Sequence, residues 1–360
     1  MNIEYNKQNN IKEAIMEVIA FFDLFDYPLT ELELWQYLSV KCCLFDIKNC
    51  LSLDILAADG ILGADNGFYF LRGRKEIIKT KMARYNYADK KFKKAILVAR
   101  FFKIIPWIRM IAVGNLIGQH NLKKQGDIDL FIITKKHRVW MTRFFCAGFA
   151  RLFGLRPTEK NARDKICLSF FVSEDAMDLR GLMLSADKQT CSTAPIAIGD
   201  YGAVAGHPKS EIQNPAPVSG SGRGPKSEMD IYFIYWLACL VPIYNKDDIY
   251  NKFIKANSWI KNYLPNWQPT EASFRRDSGK GFADFYEDVI DLLIGGAEKT
   301  VKKIQLNKMP EKLKTAMNQD TRVVVNDNVL KLYANDRRKE YRKMWEKSLL
   351  DIKLKNWILQ

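Results

Sequence analysis

The chain is 360 residues long, 48% hydrophobic, and carries a formal net charge of +15. That length supports two or three domains with sizeable cores, and the basic balance favours an anionic partner such as a nucleotide, RNA, DNA or an acidic surface. Seven cysteines without a C-x-x-C pair, and only three histidines, speak against a zinc cage and for reduced thiols in a cytoplasmic setting. No signal-peptide pattern follows Met1, and the most apolar stretches, 144–155 and 231–243, are too short to span a bilayer, so no membrane partner is expected.

Residues 1–75 read as a winged-helix-like module. Ile11, Ile15, Val18, Ile19 and Phe22 recur at helical spacing. Thr30 and Glu33 predict a capping box for a second helix carrying Leu32, Trp35 and Leu38. A third helix is expected over 46–58, with Ile47, Leu51 and Ile55 inward, and a hairpin over 61–70 turning at Asp65-Asn66-Gly67. Asp46, Asp54 and Asp59 stand against Lys48 alone on the third helix and its end. That charge favours protein docking or intramolecular packing over DNA reading.

Residues 72–109 hold thirteen Lys or Arg against Glu76 and Asp89, which is +11 of the net charge. Phe92, Ile96, Ala99 and Phe102 form an apolar stripe there, and Lys90, Lys91, Lys93 and Lys94 crowd the same helix, an electrostatic approach for a polyanion. An apolar strand at 108–113 leads to a turn at Gly114, a polar loop, and a strand at 127–134 that opens with Asp127 and Asp129. Side chains two apart in a strand share a face, so these carboxylates project together and call for a hard cation such as Mg²⁺ or Mn²⁺ between them. A glycine turn lets backbone N–H groups approach phosphate oxygens. Asn115 offers a phosphate hydrogen bond, and Lys123 and Lys124 offer charge to a triphosphate, whereas His120 reads as an exposed loop residue.

A helix over 138–155 with Trp140, Phe144, Ala147 and Phe153 inward should lead to a strand over 164–173 that neighbours the Asp127 strand. Residues 188–228 are rich in Pro, Gly and Ser and read as a flexible insertion. Beyond it, 231–243 is expected as a buried helix, 250–264 as a second, and 282–306 as a long third with Phe285, Val289, Leu292 and Leu293 inward. Residues 321–332 predict a strand, a turn at 326–328 and a second strand, before a final helix opening at Asp336.

Gly114-Asn115, eleven intervening residues, then Asp127-Ile128-Asp129-Leu130 resembles the signature of the nucleotidyltransferase superfamily of the DNA polymerase beta type. Asn115 stands where that signature has Ser or Gly. The resemblance implies an α+β fold with a nucleotidyltransferase core at 76–187, built on a mixed sheet with flanking helices, and a mostly helical C-terminal region at 229–360. It implies transfer of a nucleoside monophosphate from an NTP to an acceptor hydroxyl, RNA or another anionic acceptor included. Asp127 and Asp129 would be the catalytic, metal-holding residues, and Gly114, Asn115, Lys123 and Lys124 would bind nucleotide. Asn257, Trp259, Asn335, Asp336 and Arg337 are candidates to grip base or acceptor. The family's third carboxylate has no counterpart inside the 164–173 strand, whose interior holds Cys167 and Ser169, and Asp164 stands at its start. A catalytically weakened, nucleotide-binding regulatory protein is the alternative.

Overall fold

Strands drawn from both sides of the polar segment at 188–228 pair into one six-stranded sheet, which makes the fold α+β. The structure is a computed structural model that describes residues 2–51, 60–114, 124–158, 161–184, 229–270 and 280–359. The expected site residues Asn115 and Lys123, along with His120, the end of the third helix and the insertion, lie outside the described residues.

The N-terminal module begins with α1 (Asn2–Asp23), which buries Ile11, Ile15, Val18, Ile19 and Phe22 as their spacing requires. In α2 (Glu31–Tyr37) the capping box forms, with the Thr30 amide donating to Glu33 Oε2 at 2.7 Å and the Glu33 amide to Thr30 Oγ1 at 3.3 Å. Leu34 rather than Leu32 is its inward residue, because the short helix turns Leu32 to solvent. Helix α3 (Leu44–Cys50) buries Ile47, and a hairpin of β1 (Leu62–Asp65) and β2 (Phe68–Leu71) turns through Asn66 and Gly67. Both turn residues have positive φ, 50° and 77°, as the tight hairpin demands.

The basic helix α4 (Glu76–Phe102) buries Ala95, Val98, Ala99 and Phe102. Acids of the N-terminal module grip it and its approach: Glu33 meets Lys81 at 3.0 Å, Asp26 meets Arg84 at 2.9 Å, and Asp23 meets Arg74 at 3.0 Å. Of the thirteen cations in 72–109, Arg74, Lys75, Lys81, Arg84, Lys91, Lys93 and Arg109 are in ion pairs. Much of that charge therefore binds the protein to itself, and the intramolecular packing weighed for the N-terminal module is present. Trp345 Nε1 also donates to the Glu17 carbonyl at 2.9 Å, and Asn266 Nδ2 to the Val40 carbonyl at 2.8 Å.

The sheet comprises β3 (Ile108–Val113), β4 (Ile128–Thr134), β5 (Ile166–Ser173), β6 (Val241–Asn245), β7 (Val323–Val325) and β8 (Val329–Leu332), in the order β6-β3-β4-β5-β8-β7. Only β4 and β5 run parallel, and α5 (Val139–Leu152) makes the crossover between them. Ile128, Leu130 and Ile132 face α4 and α5 in one core, while Phe131 and Phe170 meet on the other side, 5.0 Å apart. In α5, Trp140 is buried but Phe144 and Phe153 are exposed, because Cys146 and Ala150 take the inward face.

Three of the six strands come from the region expected to be a mostly helical C-terminal part. The apolar run at 231–243 splits into α6 (Ile231–Ala238) and β6. Pro242 cannot donate to a ladder, and the sheet accepts it because β6 is an edge strand. Helix α7 (Ile249–Ala256) follows, and the long helix expected over 282–306 is broken by a 3-10 turn at Gly295–Ala297 into α8 (Lys280–Ile294) and α9 (Glu298–Asn307). A short α10 (Glu311–Thr315) precedes β7, and α11 (Arg338–Leu359) ends the chain.

Leu292 and Leu293, expected inward, are 86% and 70% exposed. The face of α8 that turns in is acidic instead. Buried Glu287 takes Arg109 in a two-pronged pair at 2.6 and 3.0 Å, Lys135 at 2.7 Å and Lys246 at 2.9 Å. Asp291 takes Lys135 at 2.9 Å, Arg138 at 2.8 Å and the Trp107 indole at 2.5 Å. Cations gathered at the ends of β3, β4 and β6 thus outrank two leucines in deciding the helix's rotation. Leu184–Asp230 forms a unit of its own, of which Leu184, Met229 and Asp230 are described; the Leu184 amide donates to the Asp230 carboxylate at 2.8 Å. No helix among the described residues is long and apolar enough to cross a membrane.

Candidate active site

Asp127 and Asp129 stand at the start of β4, where the loop from β3 re-enters the sheet, and two-residue periodicity brings their side chains to one face. Parallel pairing then sets Cys167 of β5 directly opposite Asp129. One carboxylate oxygen from each acid and Cys167 Sγ all lie within 4.8 Å of one another. Burial raises the pKa of both acids, and at Asp129 the neighbouring Asp127 charge adds to it. Burial, then the two carboxylates, push the Cys167 thiol well above its ordinary value, and the thiol donates to Ser169 Oγ at 3.2 Å. Two desolvated carboxylates and a thiol at this spacing call for a shared proton or a cation. The donor set fits a divalent metal, but sulfur makes it softer than an all-carboxylate site.

Asp164 does not complete the cluster. Its residue takes a left-handed backbone (φ 57°) ahead of β5, and its carboxylate faces Lys91 at 3.0 Å and Arg163 at 3.4 Å. Those cations hold its pKa below the usual carboxylate range, against the opposing effect of burial.

Asp129 also lines an open cleft of about 220 Å³. Gly114 is in the wall, its amide donating to the Asp129 carbonyl at 2.9 Å, so it contributes space rather than an anion-binding N–H. A methyl there would touch the Trp236 ring at 3.4 Å. Trp236 stacks on Phe170 (centroids 5.3 Å, 19°) and on Phe233 (5.4 Å, 17°), and Tyr232 lies flat against Tyr341 (5.2 Å, 6°). Tyr333, on the cleft wall, has its phenol pKa raised well above the ordinary value, by burial first and the Asp129 charge second.

Asn335, Asp336 and Arg337 line this cleft as candidates for gripping a base or acceptor. Asp336 is held by Arg338 at 2.8 Å and Lys331 at 3.3 Å, whereas Arg337 is exposed at the mouth beside Glu340 (2.7 Å) and the Tyr341 ring (5.0 Å). Asn257 and Trp259 do other work. Asn257 is buried, receiving the Leu179 amide at 3.0 Å and donating to the Met177 carbonyl at 2.7 Å, and Trp259 is a core residue. Lys124 lies away from the cleft, over the Tyr87 ring. Cys167 as a donor, and Tyr232, Tyr333 and Trp236 as wall residues, were not singled out from the sequence. One available signal was Lys331, a lysine buried in an aliphatic strand two residues before Tyr333. No protein-family model, curated protein or solved structure matches this chain.

Proposed function

We propose that the chain is a metal-dependent nucleotidyltransferase, its N-terminal module a winged-helix-like domain and its sheet a nucleotidyltransferase core. The observation that carries this is that Asp129 belongs at once to the three-donor cluster and to the wall of the aromatic cleft. Asp127 and Asp129 would hold Mg²⁺ or Mn²⁺, with Cys167 as the third protein donor. A divalent ion held there supplies Lewis-acid polarisation of phosphoryl oxygens and a template for the triphosphate. The chain supplies the rest. The missing side chain at Gly114 leaves room beside Asp129, Arg337 brings a cation to the mouth, and the wall rings offer flat surfaces to a base. Asp129, belonging to both the donor cluster and the cleft wall, would orient an acceptor hydroxyl at its carboxylate oxygen. Magnesium- or manganese-dependent pyrophosphate release from an NTP, with the α-phosphate label passing to an acceptor, is the test. Absence of both with all four NTPs would end the proposal.

A second reading is favoured by Cys167 itself: where the superfamily signature implies a third carboxylate, this chain has a thiol opposite Asp129. In that reading the fold binds nucleotide and signals it without transfer. Calorimetry showing NTP binding with metal, and no pyrophosphate release, would decide for it.

The sulfur donor carries its own expected outcome. Co²⁺ added to the metal-free protein should give a near-ultraviolet thiolate-to-metal absorption band, lost in Cys167→Ser. Cys167→Asp should tighten Mg²⁺ binding and weaken Co²⁺ and Zn²⁺ binding, measured by calorimetry. A cobalt spectrum unchanged in Cys167→Ser would remove Cys167 from the ligand set.

A further inference from the structure

A second cleft, of about 270 Å³, opens between α4 and the segments that lead into β4 and β5, and it shares no lining residue with the cleft at Asp129. Lys90, Lys91, Lys94, Lys124 and Arg163 face it, against the single carboxylate of Asp164. Two of these cations are structural anchors. Buried Lys91 bonds the Gly126 carbonyl and pairs with Asp164 at 3.0 Å, and Lys94 donates to the Asp164 carbonyl at 2.6 Å. They tie the strand starts to α4 and leave Lys90, Lys124 and half-exposed Arg163 around the opening.

The charges are under-compensated. Lys94 has its pKa lowered by burial, and of its charged neighbours Lys165 and Lys91 push the same way while only Asp164 opposes them. Like charges crowded at a cavity cost free energy that a bound anion returns. Tyr87 adds a flat aromatic wall, with Lys124 Nζ 5.6 Å from its ring centroid. Cations that follow a backbone, next to an aromatic face that accepts any base, are the chemistry of single-stranded nucleic acid recognition.

We propose that this cleft binds the phosphates and one base of a single-stranded nucleic acid, delivering the strand beside the carboxylate pair. Lys91 provides the link: it holds the Gly126 carbonyl, and Gly126 precedes Asp127. Resting on the proposed transferase activity, the strand is the acceptor and the Asp129 cleft takes the nucleotide.

The test is fluorescence anisotropy of a labelled oligouridylate and an oligothymidylate of about a dozen nucleotides, titrated with the full chain in chelator across a salt series. Lys90→Glu with Lys124→Glu is expected to weaken binding at least about tenfold and to lower the slope of log K against log salt by about two. Tyr87→Ala should weaken binding about tenfold with the slope unchanged. Lys299→Glu with Lys303→Glu, the same charge change on α9, should leave affinity within about twofold. Equal losses in both double variants, or no loss in either, would overturn the proposal. So would competitive displacement of the oligonucleotide by ATP, which would make the cleft a triphosphate site. Metal is absent from the assay, so failure of transfer and failure of strand binding are read separately. Preference between the two probes tells RNA from DNA as the strand bound.

Discussion

Asp127→Asn and Asp129→Asn, each alone, are expected to lower metal-dependent nucleotidyl transfer by at least about 10²–10³-fold while the protein stays folded. Each substitution removes a charged donor from a cluster whose atoms lie within 4.8 Å of one another, leaving one carboxylate and a thiol. The same change should stabilise the metal-free protein. Burial raises both carboxyl pKa values, and at Asp129 the Asp127 charge adds to it, so the folded state favours the protonated form, and an amide mimics that form without charge. The sign follows from linkage. A carboxyl whose folded pKa is raised costs stability as pH climbs through its unfolded and then its folded pKa, and the amide avoids that cost. Metal-free Asp129→Asn should therefore unfold at a higher temperature than the parent at neutral pH, with the difference vanishing in acid. Lower activity together with higher stability marks a functional site, since a purely structural acid would lose both. Undiminished transfer in both variants would dismiss the carboxylate pair as the catalytic centre.

Glu287→Gln should destabilise the fold by about 3–5 kcal/mol, measured by urea denaturation at neutral pH. Its carboxylate is buried and receives Arg109, Lys135 and Lys246 from three different segments. Neutralising it leaves those cations facing one another. Burial alone would raise the Glu287 pKa, but the bonds from Arg109, Lys135 and Lys246 hold it at about 2, below its ordinary 4.5. A depressed folded pKa means a stability contribution complete above pH 4.5 and lost as pH falls toward about 2. The gap between parent and Glu287→Gln should accordingly narrow across that window. A difference under about 1 kcal/mol at neutral pH would show that the cations reach solvent without it.

The two halves of the site differed in how well they could be read from the sequence. Asp127 and Asp129 were legible as a pair because the strand repeat is local and needs no partner. Cys167 was legible as a residue of the next strand but not as a donor, because only the parallel register sets it across from Asp129. Tyr333 and Arg337 reach the same cleft from some two hundred residues away, a closeness that no local pattern carries. The mistaken rotation of α8 has a related cause. Leu292 and Leu293 fit an apolar stripe, yet Glu287 and Asp291 face inward to meet cations contributed by β3, β4 and β6. The apolar run at 231–243 passes from a short helix into an edge strand that contains Pro242, a change its uniform apolarity does not announce.

The strand order also governs when during synthesis the site can exist. Asp127, Asp129 and Cys167 leave the ribosome early, but β8 pairs with β5 from residues beyond 320, and Tyr333 and Arg337 follow it. Until then the free edge of β5 has no partner and the cleft lacks a wall. Contacts this distant in sequence form slowly and after local structure. A nascent chain therefore carries its acids through most of synthesis with no cleft beside them, and the cleft is complete only once the last strand has docked.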